Sequence, residues 1–467
     1  MEFQLKTKKL LSKLFAGALA FTMVATSLPV TAIAAGGSGS KATPSLESQQ
    51  SAQILSHEAR PSGLVGFEEE YELGNSDSMV SVIVEFVHQP ASLVQAIAEL
   101  NGERSASARS LENLAEQDKE DFYQALKDID YTVEYEYDLA LNGVSILVPE
   151  HFVDDIAALE CVFAVYPNET HENVVPNDGI STFAVDGFAE GMADSRAYLN
   201  IQALHDQNIK GTGVTVGVID TGIDYRHPDL KNVFSSKLPN GSTPSADELL
   251  NGNFVGRNYI TNGNGKNDPL DDQGHGTHVA GTIAARDNAT TDISALGLAP
   301  ESTIVAYKVI NAADSCSEND VIKAMEDAVK DGCEIISMSL GWKSINHGSH
   351  GTTIALNALA LTHENVLFVV CAGNSGSNSY TIWSPAASPL ALTVANAKIP
   401  SSNRLLTLTT DAVTKTVAEE ELPPEENPVV PPAGDAVTPP EGEEATPPAD
   451  NEGSETTPPE GETTPPE

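Results

Sequence analysis

The chain has 467 residues, 40% hydrophobic and 20% charged, with 25 lysines and arginines against 67 aspartates and glutamates and a formal net charge of -42. That length can fill two ordinary cores and leave tails over, and the acidity argues against nucleic acid or an anionic membrane surface as a partner. Four cysteines, Cys161, Cys316, Cys333 and Cys371, are too few and too scattered for a disulfide framework or a zinc site, and Cys333 and Cys371, in apolar strand-like runs, read as buried free thiols.

The N-terminus carries Lys6, Lys8, Lys9 and Lys13, an apolar run from Leu14 to Val30, and then Ala32, Ile33, Ala34 and Ala35. A basic segment, an apolar core and small residues at A-x-A spacing predict a signal peptide over 1–35, cut near Ala34 or Ala35, and a secreted or cell-surface protein. The apolar run approaches spanning length, so an uncleaved anchor is the alternative; no membrane contact is expected beyond the leader. Residues 36–77 are rich in Ser, Gly and Glu without a sustained period and read as a linker.

A compact unit is predicted over 78–168. Met79 to Val87 alternates like a strand, and Leu93 to Leu126 carries apolar residues at helical spacing in two segments. Strands are expected over Tyr131 to Tyr137, Gly143 to Val148 and Val162 to Tyr166, with a short helix from Phe152 to Leu159. Strand, helix, strand, strand, helix, strand is the split βαβ order of a small α+β, ferredoxin-like domain.

A second connector, 169–195, leads into 196–412, where strands alternate with helices. Strands are expected at Val214–Ile219, Thr303–Val309, Glu334–Met338 and Val366–Ala372. Helices are expected at His278–Arg286, Asp320–Lys330 and Thr352–Thr362. Ser317 with Asp320 should cap the middle helix and Gly332 should stop it. This alternation predicts an α/β fold, a doubly wound parallel sheet with helices on both faces. Chemistry in such sheets gathers beyond the carboxyl ends of the strands, where Asp220, Ser339 and Asn374 fall. Residues 413–467 are dominated by Glu, Pro and Thr, with TPPEGE starting at Thr438 and again at Thr457, a composition that predicts a disordered spacer.

Two stretches point to a reaction. DDQGHGTHVAGTIAA, Asp271 to Ala285, places glycine on both sides of His275 ahead of an apolar run, which predicts a loop opening into a helix and close approach of other backbone to the imidazole. VTVGVIDTGID, Val214 to Asp224, ends a strand on Asp220. A carboxylate behind an imidazole is the rear half of a nucleophilic triad.

VIDTGID around Asp220, HGTHVAGT around His275, SMSLG from Ser337 to Gly341 and CAGNSG around Asn374, in that order, resemble the signatures of the subtilisin-like serine proteases over about Tyr198 to Ala397. The resemblance implies that Asp220 orients His275, that His275 is the general base, and that Asn374 donates to the oxyanion, an interaction worth about 3 kcal/mol in the family, whose own subtilisin is the source of that value. It implies that Ser339, Leu340 and Gly341 pair with an extended substrate and wall its primary pocket, with proteins or peptides as substrates. The unit over 78–168 resembles the family's inhibitory propeptides, so the chain's own propeptide is an expected partner. Asp229, in HPDL, matches a calcium-ligand position, with Asn288 in the loop expected to supply further ligands beside Asp287 and Asp292; a solvated acidic loop is the alternative. No cofactor is expected for catalysis. In one respect the pattern fails: the family's nucleophile stands in Gly-Thr-Ser-Met-Ala at the head of a helix, and no such stretch occurs here. The sheet is therefore expected to be C-terminally incomplete and the chain a truncated or fragmentary protease. The alternative is a non-catalytic extracellular pseudoprotease that retains the peptide-binding cleft.

Overall fold

The computed structural model describes residues 55–57, 60–67, 77–172, 174–175, 192–260, 268–287, 296–343, 351–376 and 378–396. The expected signal peptide at 1–35, much of both connectors, Asn288 and the tail over 413–467 lie outside the described residues. Contacts divide the chain into 1–407 and 408–467, and everything below concerns the first unit.

Strands Met79–Phe86, Thr132–Tyr137, Gly143–Pro149 and Val162–Pro167 form one sheet, with the last strand beside the first, then the third, then the second, all antiparallel. This is the ferredoxin-like order the sequence pattern predicts. Alternation along Met79–Phe86 explains its two faces. Val82, Val84 and Phe86 join Phe122, Val144, Ile146, Val148 and Val165 in a core of their own, while Ile83 points the other way into a second core with Tyr137, Val305 and Tyr307. Helices Ala91–Asn101 and Ala108–Ala125 follow the first strand. Gly102, at φ 72°, ends the former in a left-handed cap.

The second sheet has six parallel strands, ordered Gly256–Asn258, Thr303–Lys308, Thr215–Asp220, Ile335–Met338, Leu367–Cys371 and Leu392–Val394. Val216, Val218, Ile304 and Ala306 pack with Ala280 and Ala284 of helix His275–Ala284 on one face. Ile219, Val305, Tyr307, Ile336 and Val370 pack with helices Glu318–Asp331 and Gly351–Thr362 on the other. The period of two in the strands thus sends alternate residues into two separate cores, and helices cover both faces. Gly332 stops the middle helix at φ 96°. Ser317 occupies the N-cap position but makes no capping bond; its hydroxyl lies 3.1 Å from that of Thr170 instead.

Parts of the stretches expected to be linkers are structured. Gly63–Leu64 adds a parallel edge strand beside Val162–Pro167. Glu85, 3% exposed, is bound by Arg60 and accepts from the hydroxyl of Tyr166 at 2.9 Å, with His57 Nε2 also 2.9 Å away. Burial alone would raise this carboxyl, but the charge of Arg60 and the bonds from His57 and Arg60 hold it down at about 2. Leu55 is fully buried among Leu93, Ile354, Ala358 and Leu361. In the second connector, Thr170–Glu172 is a strand and Met192–Tyr198 a helix.

Helix Glu318–Asp331 joins the two sheets. Tyr135 Oη donates to Asp320 Oδ1 at 2.7 Å, and Tyr137 Oη donates to the carbonyl of Asn319 at 3.3 Å. The backbone N–H groups of Asp138, Leu139 and Ala140 all donate to Glu326 Oε1, at 3.2, 2.8 and 2.8 Å. Burial, with the charge of Glu134 adding to it and the bond from Tyr135 opposing, pushes Asp320 up to about 7; burial likewise raises Glu326. Raised acids bind protons in the docked state, so their contribution to docking is fully present below the ordinary carboxylate range and is lost as pH rises through about 7. Amide exchange across Thr132–Ala140 is expected to be slower, relative to intrinsic rates, at about pH 5 than at about pH 8; equal protection at both would contradict it.

All four cysteines are free. Burial pushes Cys161 up to about 11 and Cys333 up to about 12, and raises Cys316 and Cys371.

Candidate active site

Asp220 is the last residue of the strand at the centre of the parallel sheet and is fully buried. Its Oδ1 accepts from Thr221 N at 2.7 Å and lies 2.8 Å from Nδ1 of His275, the first residue of its helix. Local sequence explains the approach. Gly274 turns the chain at φ 112°, a conformation that L side chains rarely adopt. The first three helical N–H groups then find acceptors outside the helix: His275 N donates to Gln273 Oε1, Gly276 N to Thr221 Oγ1 and Thr277 N to Asp271 Oδ2, at 2.9, 2.8 and 3.0 Å. Asp271 also takes the N–H groups of Gln273 and Gly274. Beneath the site, Lys308, 3% exposed, donates to the carbonyl of Ile310 at 3.2 Å and to Asp272 at 2.7 Å, bracing the loop that precedes His275.

Gly276 permits the imidazole and carboxylate to meet. A Cβ there would fall 2.1 Å from the Gly222 carbonyl oxygen and 3.1 Å from Asp220 Oδ1. Gly276→Ala is therefore expected to push the helix start away at a cost of about 1–3 kcal/mol, seen as a lower melting temperature; an unchanged melt would show that the approach is looser than these distances.

Burial disfavours the charged form of His275, but the hydrogen bond and charge of Asp220, with Asp314 and Asp271 adding, outweigh it and hold the imidazole above its ordinary value. Asp314 is a residue the motifs did not disclose. It is 5% exposed, has φ 60°, and accepts from Val175 N at 3.1 Å. Burial, opposed in part by that bond and by His275, raises its carboxyl. Its sequence context, a lone aspartate in a short polar turn, gave no signal.

The stretch that carries this buried carboxylate and its imidazole was compared with known proteins by sequence. Residues 211–425 match the sequence pattern of the subtilase family. This stretch is similar to the subtilase family. Minor extracellular protease Vpr of Bacillus subtilis is 34% identical to this chain over 276 residues, 59% of it and 32% of the relative. Subtilisin DY of Bacillus licheniformis is 37% identical over 37% of this chain and 51% of its own length, and subtilisin E of Bacillus subtilis 32% identical over 46% and 49%. The chain thus spans about a third to a half of the length of these relatives.

Within the stretch that matches the family, Ser339, Leu340 and Gly341 follow strand Ile335–Met338 and Asn374 follows strand Leu367–Cys371, its neighbour in the sheet. Gly341 N donates to the carbonyl of Val174 at 3.2 Å. Just upstream, Thr170–Glu172 pairs antiparallel with Ser315–Ser317, and the ring of His171 stacks on Trp342 with Nε2 2.7 Å from Glu318 Oε1. The chain's own extended segment therefore runs along the edge that the motifs assign to substrate. Asp229 is buried, and its carbonyl accepts from Arg286 N at 3.0 Å, tying the HPDL turn to the end of the His275 helix. Among the described residues, the acid and histidine groups whose ligand atoms converge are Glu169, His171 and Glu318, away from Asp229. Several serines after Asn374 are committed elsewhere: Ser375 Oγ accepts from Trp383 Nε1, Ser384 Oγ lies 2.8 Å from Thr353 Oγ1, and Ser388 Oγ donates to Asn357.

Proposed function

We propose that the protein is a secreted serine endopeptidase working by a Ser-His-Asp mechanism, with residues 78–168 as its inhibitory propeptide. The observation that carries the reading is the 2.8 Å contact between His275 Nδ1 and the fully buried Asp220. With Nδ1 committed to Asp220, Nε2 is the nitrogen available to a serine hydroxyl. His275 takes that proton as the hydroxyl oxygen bonds to the scissile carbonyl carbon, and Asn374 donates to the oxyanion that forms. The proton then passes to the amine as the C–N bond breaks, and water repeats the sequence to release the acyl group. Base catalysis needs a neutral imidazole. Because Asp220 holds the proton on the ring more strongly than water would, activity rises with pH through a value above the ordinary histidine one.

Two contacts support an inhibitory role for the N-terminal unit: Val174 on Gly341 and Val175 on Asp314. In this reading the start of the connector, just past the unit, lies along the cleft in the manner of a substrate, with release by cleavage in the connector. Asp229 and Asn288 belong to this reading as oxygen ligands of a structural calcium, and the burial of the Asp229 carboxylate suits a hard cation; catalysis takes nothing from it.

The nucleophile is the open part, since no Gly-Thr-Ser-Met-Ala stretch occurs in residues 1–467. Treating this chain, and the product of the gene read past the codon for Glu467, with a fluorophosphonate decides it. A labelled serine after Gly-Thr in the longer product is expected, and no label on either would overturn the reading. Retained peptide binding without label would favour the pseudoprotease.

A further inference from the structure

The two strand ends that frame the cleft hold a large side chain between them. Ser339–Gly341 and Ala372–Asn374 extend neighbouring parallel strands in which Met338 is in register with Val370. A peptide lying along Gly341, as Val174 does, and presenting a carbonyl to Asn374 must place the side chain of that residue between these two walls. Trp383 is already there. Its N–H donates to the Ala372 carbonyl at 3.1 Å. Its ring covers Gly373 so closely that a Cβ on that glycine would fall 2.3 Å from Cγ and 2.4 Å from Cδ2. On the opposite wall, a Cβ on Gly341 would fall 2.7 Å from the Ser384 carbonyl oxygen and, at ordinary contact distance, 3.4 Å from Cβ and 3.5 Å from Cε3 of the same tryptophan. Gly373 thus makes room for the indole itself, and Gly341 for the backbone of the next residue, with the tryptophan in van der Waals contact beside it.

The indole is held in place. Nε1 donates to Ser375 Oγ at 2.6 Å, and the residue is only 9% exposed. Next to it, Ser384 exchanges two backbone hydrogen bonds with Trp342, at 3.0 and 3.1 Å, and its hydroxyl reaches Thr353 at 2.8 Å. Swinging the ring out would break the bond to Ser375 and expose a large apolar surface, so an incoming side chain does not displace it without loss.

Resting on the endopeptidase reading, we propose that Trp383 fills the primary specificity pocket, so that the protein accepts only Gly, Ala or Ser on the N-terminal side of the scissile bond. Branched and aromatic side chains are excluded because their volume is already occupied.

The test needs no bond cleavage. Peptides of one sequence ending in Ala or in Phe compete for the cleft of the full chain, followed by fluorescence polarisation, in the wild type, Trp383→Ala and Trp383→Phe. The chain's own segment competes equally with every peptide, so the ratio of affinities is the readout. The Ala peptide should win in the wild type by roughly tenfold or more. The preference should reverse in Trp383→Ala and be intermediate in Trp383→Phe; if Trp383→Ala does not fold, the other two chains still decide. Equal or better binding of the Phe peptide to the wild type overturns the proposal, as does binding of neither peptide, or a ratio that the folded variants leave unchanged. A small-residue preference without fluorophosphonate labelling would sink the protease reading alone. Labelling accompanied by cleavage after large residues would sink the pocket assignment alone.

Discussion

On the endopeptidase reading, Asp220→Asn in a product that carries the nucleophilic serine is expected to lower peptide hydrolysis by about 10⁴-fold, the size general to triad aspartates, while leaving the fold intact. An amide at this buried position keeps the shape but loses the charge that fixes the Nδ1–H tautomer, and its own N–H can donate to Nδ1 and so favour the wrong tautomer. The effect has a second signature that does not depend on turnover. Burial works against the charged ring of His275 and is overcome chiefly by Asp220. In the variant, the imidazole should therefore titrate lower than in the wild type, with Asp314 and Asp271 left as the weaker opposing charges. Proton NMR of the ring follows this directly, and a His275 titration unchanged by the substitution would mean that the 2.8 Å contact is not what sets it.

The second large effect is expected at Glu326. It is fully buried, and one of its oxygens takes three consecutive N–H groups from Asp138, Leu139 and Ala140. Glu326→Ala orphans all three. Each buried donor left without a partner costs about 1–3 kcal/mol, reduced where water enters the space, so docking of the N-terminal sheet should weaken by about 3 kcal/mol, roughly a hundredfold. Glu326→Gln keeps an acceptor oxygen and should cost distinctly less. Amide exchange at Asp138–Ala140 measures the effect, with tryptophan emission as a check that the parallel sheet survives. Protection like that of the wild type in the alanine variant would place the docking energy elsewhere, in Tyr135 and Tyr137.

What the sequence disclosed and what it concealed divide along physical lines. Strands such as Thr215–Asp220 and helices such as Glu318–Asp331 advertise themselves because periodic burial is written into consecutive residues. His275 and Asp220 stand in motifs whose glycines are needed for the close approach seen at Gly276. Residues that act singly carry no such pattern. Leu55 and Arg60 are isolated anchors in a polar stretch, and nothing local marks them as buried partners of Ile354 and Glu85. Asp314 reaches the site only because a turn with positive φ carries it there. Trp383 reads as an ordinary loop aromatic until Gly341 and Gly373 are seen on either side of it. Asn288 stands outside the described residues, and the calcium assignment rests on Asp229.

The four cysteines make the molecule its own timekeeper. A thiol reacts with iodoacetamide only as thiolate and only when reached; burial withholds both conditions at Cys161, Cys316 and Cys333, while Cys371, expected to be buried, is only half-buried and should react first. Alkylation of the native protein therefore records openings, and each cysteine belongs to a different region. Cys161 reports on the N-terminal sheet, Cys316 on the strand in register with His171, Cys333 on the buried centre and Cys371 on the strand beneath Asn374. Site-resolved mass spectrometry of one timed reaction would read out the sequence in which these regions come apart.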